Sequence, residues 1–379
     1  MMERKTLLAF SLTVVNFITA GFAFELPLGL GVPKPLPDAQ SPFEGWFTQK
    51  LDHFEQNNNY TWSQALLVES GMRFMNHGMS IPERNSLHNQ KDSKKYYQVV
   101  ADSLAYYNKN CPAAVYAAAT KLVEYSKTQQ GCDYITRQFS LCTPLKADSP
   151  EDIQYFFKGQ AENFLFTVQY NEPGLMKPEK IDGFNIPQIC AYMTNPQVQD
   201  PVVRLSQVND VFRKGHCVGS SYRQFIQGLS QTGWNSPYVQ NNYRQWQWQT
   251  CREFGYYVTS ATPNSLFGQS IFLETFERIC RDAYTEGFTS QQIANNVAAT
   301  NNYYGGKAMT ETRVVNVHGS LDPWHALGIT QSKSQLQPAI YIIGTSHTAD
   351  MTTSTRNDLP TLTKARQEIT AYMNSWLES

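Results

Sequence analysis

Near the C-terminus an aspartate and a histidine each follow a short apolar run. Val314, Val315 and Val317 lie in a β-branched run that stops at His318-Gly319-Ser320-Leu321-Asp322-Pro323-Trp324. Ala339 to Ile343 form a second run, which stops at Gly344-Thr345-Ser346-His347. A carboxylate past one strand and an imidazole past the next can serve as the acid and general base of a serine hydrolase. The carboxylate fixes the imidazole tautomer and stabilises its cation, while the other ring nitrogen faces a nucleophile. Ile369, Tyr372, Met373, Trp376 and Leu377 then mark one face of a closing helix. Strand, acid turn, strand, histidine turn, helix is the C-terminal order of an α/β-hydrolase. Asp322 and His347 are therefore the candidate catalytic residues. Asp-Pro alone is a common turn pair, and the pairing in this order is what carries the reading. His325 and Asp350 lie nearby and are not taken as members.

The nucleophile is harder to place. Gly-x-Ser occurs at Ser80, Ser221, Ser230, Ser270 and Ser346, and none has glycine two positions on. Ser221 alone, within Val218-Gly219-Ser220-Ser221-Tyr222, echoes a nucleophile turn and precedes Asp322. An elbow needs a buried strand leading into it. The preceding Asp210 to Cys217 stretch is polar, and Tyr222, Phe225, Ile226 and Leu229 have helical spacing. Ser220 or Ser221 therefore reads as a helix N-cap.

The elements around these residues are mostly helical. Tyr96, Val99, Val100, Leu104 and Tyr107 predict one helix behind Asp92 and Ser93. Pro112 opens a second through Val115, Ala119, Leu122 and Val123, and Ile153, Phe156, Phe157, Phe164, Leu165 and Val168 mark a third. Upstream, residues 45–62 could begin a strand and turn at an asparagine run, and segment 45–70 is expected to lend one further strand to the sheet. Residues 24–44 are rich in proline and glycine and read as an extended arm.

Composition sets the compartment. Arg4 and Lys5, the apolar stretch Thr6 to Ala20 and the small residues Gly21 and Ala23 have the layout of a signal peptide. The run is short for a membrane span, and no later segment is apolar enough for one, so no span is expected after leader cleavage. Net charge is −1, and no basic run interleaves with aromatics, which argues against a nucleic-acid partner. The seven cysteines fall between 111 and 280 without a CxxC pair, and the histidines lack metal-ligand spacing. Disulfides with one thiol left over are expected, and no metal or other cofactor. Asn59-Tyr60-Thr61 is the sole glycosylation sequon.

Five segments carry a resemblance. HGSLDPWHALG (318–328), GTSHTADM (344–351), QWQWQTCREFGYYVT (245–259), TNNYYGG (300–306) and FTQKLDHFEQNNNYTWSQ (47–64) resemble the serine carboxypeptidase S28 family. Within it, the thymus-specific branch is the most similar. The resemblance implies serine-type exopeptidase chemistry, carboxypeptidase or dipeptidyl peptidase, on peptide substrates. It implies Asp322 and His347 as acid and base, and a helical insertion capping the site. It also implies the pairs Cys111–Cys190, Cys142–Cys217 and Cys251–Cys280, leaving Cys132 unpaired.

The family order places a Gly-x-Ser-x-Gly elbow before the insertion. Here only 34 positions separate Trp62 from Tyr96, and one β-α-β unit alone takes about 30 residues. The expected fold is a truncated α/β-hydrolase remnant with a large disulfide-stapled helical insertion, predominantly helical overall. Its divisions are a signal peptide (1–23), an arm and shortened hydrolase start (24–91), a helical cap (92–306) and a C-terminal hydrolase segment (307–379). This chain is expected to be inactive for lack of its nucleophile. The alternatives are a non-catalytic secreted pseudo-peptidase binding peptides or a protein partner, or a splice or gene-model fragment of an active enzyme. The secretory pathway, extracellular or lysosomal, is the expected location. Oligomeric state is not legible.

Overall fold

A computed structural model describes residues 43–50, 61–68, 75–76, 93–171, 184–260 and 265–377. The expected leader (1–23), the extended arm up to residue 42, the sequon at Asn59 and Ser80 lie outside the described residues. The chain divides into two compact units. One spans Leu26–Phe74 and holds a hairpin of β1 (Phe43–Lys50) and β2 (Thr61–Val68), paired antiparallel from Phe43↔Val68 to Lys50↔Thr61.

The other unit holds every remaining described element. Its sheet has the order β3-β4-β5, all parallel: β3 (Met75–Asn76), β4 (Val315–Gly319) and β5 (Ala339–Ile342). The strand that joins β4 therefore comes from Met75–Asn76 and not from 45–70, whose two strands pair with each other. The central strand β4 is buried along its whole length, as a strand between two partners should be. Val315, Val317, Ile340 and Ile342 pack with Leu362, Ala365 and Ile369 of the closing helix α12 (Pro360–Leu377).

Between β3 and β4 lies the helical layer. It runs α1 (Ser93–Tyr107), α2 (Cys111–Tyr125), α3 (Gln129–Gln138), α4 (Pro150–Gln169), α5 (Ile186–Met193) and α6 (Pro201–Arg213). There follow α7 (Tyr222–Leu229), α8 (Pro237–Gln240), α9 (Tyr243–Gln249), a π-turn (Thr250–Phe254), α10 (Leu273–Ala283) and α11 (Ser290–Tyr304). Prolines near the start of α2, α4, α5 and α6 suit helix openings, where the missing N–H costs nothing. The helix α4 is buried on most sides, with Phe156, Ala161, Phe164 and Val168 wholly enclosed alongside the buried polar residues Gln160, Asn163 and Thr167, so it forms the axis of this layer.

Three disulfides staple it: Cys111–Cys190 joins α2 to α5, Cys142–Cys217 joins the loops after α3 and α6, and Cys251–Cys280 joins the π-turn to α10. They are the pairs that the family resemblance implies, and Cys132 is a free, buried thiol.

Candidate active site

Each member of the acid–histidine pair sits where a parallel strand ends. Asp322 follows β4 and caps a short 3-10 turn (Pro323–Leu327), its Oδ1 accepting from the Trp324 N–H at 2.9 Å. Its Oδ2 lies 2.8 Å from His347 Nδ1. The loop carrying His347 turns at Gly344 (φ +86°) after β5, and the His347 N–H donates to the Gln169 carbonyl at 2.9 Å. Asp322 is 4% exposed and His347 6% exposed. His347 Nε2 has no hydrogen-bond partner among the described residues.

The two loops meet because Gly319 lets them. A Cβ there would stand 2.5 Å from the carbonyl oxygens of Thr345 and Ser346, a separation that real side chains do not tolerate. Backbone bonds then lock the approach, from Ser320 N–H to the Ile342 carbonyl and from Leu321 N–H to the Thr345 carbonyl, each 2.9 Å. Gly328 serves the same region: a Cβ on it would strike the His318 ring. Burial alone would raise the Asp322 carboxyl. The imidazole of His347, the Trp324 N–H and His318 outweigh it and hold that carboxyl below its usual value.

The helical layer closes over the pair through the end of α4. Gln169 Oε1 accepts from both the Tyr96 hydroxyl and the Trp324 indole N–H, each at 3.0 Å. The Tyr96 ring meets Trp324 edge-on at 4.7 Å, and the Tyr170 ring meets that of His347 at 6.0 Å. Burial pushes the Tyr170 phenol far above its ordinary range.

A cleft reached through Gln169 and Trp324 runs along α4, walled mainly by aromatic rings that include Tyr96, Tyr243, Trp246, Tyr256 and Trp324. Its far wall is the QWQWQTCREFGYYVT segment. There a π-turn and left-handed backbone at Gly255 (φ +69°) and Tyr256 (φ +59°) fold the chain sharply. Positive φ is costly for a bulky residue, and it sets the Tyr256 ring edge-on to Trp324 at 5.8 Å.

Other sequence candidates fall elsewhere. Ser221 is the N-cap of α7, accepting from Gln224 N–H. The next residue's N–H donates to Asp152 in the first turn of α4, while His347 binds Gln169 in its last turn. Seventeen residues of helix separate those anchors by about 25 Å, so Ser221 and His347 lie at opposite ends of α4. Ser221 is therefore out of reach of His347. His325 Nε2 lies 3.5 Å from the Tyr341 hydroxyl, and the Asp350 backbone carbonyl accepts from Arg366. Among the described residues no cluster of His, Cys, Asp and Glu suits a metal ion, and no helix is long and apolar enough to cross a membrane.

Sequence reasoning did not single out Gln169, Lys158 and Glu162 of α4, or Gly319 as the point of loop approach. Charged residues four apart within a helix rich in aromatic side chains were the available signal for Lys158 and Glu162.

Comparison with known proteins fits this geometry. The family model for serine carboxypeptidase S28 matches residues 83–369. The chain belongs to the serine carboxypeptidase S28 family, whose fold is α/β-hydrolase-like. It is 32% identical over 299 residues to the Caenorhabditis elegans protein K12H4.7, covering 76% of this chain and 57% of that one. It is 30% identical over 302 residues to mouse thymus-specific serine protease, covering 76% and 56%. Human lysosomal Pro-X carboxypeptidase is 22% identical over 274 residues, covering 71% and 51%. The chain thus spans about half the length of the curated relatives it matches.

Proposed function

We propose that this S28 member offers a peptide site in which Asp322 and His347 are the acid and base of a serine exopeptidase and the nucleophile is not supplied. The observation carrying the reading is the buried 2.8 Å Asp322–His347 contact, hydrogen-bonded to Trp324 and Gln169, two residues that line an aromatic cleft. The family supports peptides as the ligands. The remoteness of Ser221 and the short interval between Trp62 and Tyr96 support a missing nucleophile, and with it a sheet shortened relative to a whole hydrolase. Without a nucleophile, binding persists and covalent turnover is lost. The cysteine staples and the N-terminal apolar stretch fit a secretory or lysosomal lumen.

Trp246 and Trp324 line the cleft, so short peptides should change tryptophan emission saturably while chromatography of the mixture shows no cleavage. Absence of binding, or cleavage that stops in His347→Ala, would count against the reading.

A further inference from the structure

Four buried residues from three distant segments close a circuit of hydrogen bonds. The Gln169 Oε1 accepts from the Trp324 indole N–H at 3.0 Å. The Trp324 backbone N–H donates to Asp322 Oδ1 at 2.9 Å. Asp322 Oδ2 lies 2.8 Å from His347 Nδ1. The His347 backbone N–H then returns to the Gln169 carbonyl at 2.9 Å. Gln169 is 1% exposed, and none of the other three exceeds 6%. An indole N–H can only donate, so it fixes which end of the Gln169 amide carries the oxygen. The second lone pair of that oxygen takes the Tyr96 hydroxyl at 3.0 Å, and the amide nitrogen faces the Tyr170 hydroxyl. The backbone side of the circuit follows from helix geometry. Gln169 is the last residue of α4, and the last four carbonyls of a helix have no partner within it. The His347 N–H fills one of them.

We infer that Gln169 is a positioning residue, which orients Trp324 and through it the Asp322 carboxylate, so that an occupant of the cleft is felt at the Asp322–His347 bond. The inference rests on the cleft being a peptide site. Gln169, Trp324 and Tyr96 line the cleft, and the circuit carries any displacement of Trp324 to Asp322 through one backbone N–H. Hydrogen bonds linked in a buried network polarise and strengthen one another. Taking away the Gln169 oxygen leaves the Trp324 indole N–H and the Tyr96 hydroxyl buried without a partner, a cost that falls first on the Trp324 orientation. A merely structural glutamine in the same helix supplies the contrast. Gln160 donates to Asn209 Oδ1 at 3.2 Å, with both residues buried, and takes no part in the circuit. Tyr96 supplies a second contrast, since it binds Gln169 but lies outside the circuit.

The test reads the His347 Nδ1 proton by NMR of the whole chain, assigned by its loss in His347→Ala. A carboxylate partner requires Nδ1 to carry that proton. In the native chain the signal should be resolved and slow to exchange with water. Gln169→Met keeps the side-chain length and the backbone carbonyl but offers the indole no oxygen. Exchange should quicken by about tenfold or more, the factor that one lost hydrogen bond gives a local opening. Gln160→Met and Tyr96→Phe should keep the native rate, and thermal transitions of all three variants report that the fold is kept. Saturation with acetyl-leucyl-phenylalaninamide, followed by tryptophan emission, should move the signal in the native chain and not in Gln169→Met. Native exchange in Gln169→Met, or equal quickening in either contrast variant, overturns the inference and leaves the peptide cleft standing. So does a peptide that binds the native chain without moving the signal. A peptide that fails to bind overturns the cleft reading and the coupling to an occupant, while the exchange rates still decide whether Gln169 positions the pair.

Discussion

Asp322 and His347 depend on small residues as much as on each other. Gly319 permits the approach, and Arg366 secures the segment after His347 by donating to the carbonyls of Ala349, Asp350 and Thr352 while pairing with Asp358. Titration of this region has one sign. Burial opposes ionisation of Asp322 and Asp358, but their charged and hydrogen-bonding neighbours win and hold both carboxyls low. Such groups stabilise the fold above their unfolded value of about 3.9, and that stability is lost as pH falls further. His325 behaves likewise for another reason: burial disfavours its cation and lowers its value, so protonation below about 6.5 favours the unfolded chain. The thermal midpoint should therefore fall in two steps on acidification, one below about pH 6.5 and one below about pH 4. His325→Gln should flatten the first step. A first step unchanged in that variant would show that another group causes it.

At the scale of elements, the helices named in the sequence were those with long apolar periodicity: α1, α2, α4 and α12. The N-cap role of Ser221 was legible too, because a polar approach followed by helical spacing has few other readings. The short helix α3, held by a Thr128 cap, lacks such periodicity. The π-turn and the left-handed Tyr256 were not legible, since local propensity disfavours both and only packing against Trp324 and the Cys251–Cys280 bridge compels them. That bridge closes 29 residues, and loop-closure entropy assigns it about 3.6 kcal/mol at most. Cys251→Ser, Cys280→Ser should thus lower unfolding free energy in denaturant by about 2–4 kcal/mol. A loss under about 1 kcal/mol would mean that the π-turn is held by its aromatic contacts alone.

For the whole molecule, the pairing of Asp322 with His347 was legible because each residue is tied to a strand end, a local pattern. The cleft was not, because its walls come from α1, α4, α9 and the turn after β4, and only the fold brings them together. The strand pairing of β3 escaped for a similar reason: two residues carry no periodicity, and their partner lies some 240 positions away. The central claim joins these scales, namely an S28 acid–base pair poised at a peptide cleft with no serine to activate. It is tested most directly by exposing the purified, folded chain to a fluorophosphonate probe and mapping any adduct by mass spectrometry. The account predicts no serine adduct in the native chain. A serine adduct that disappears in His347→Ala would contradict it and identify the nucleophile.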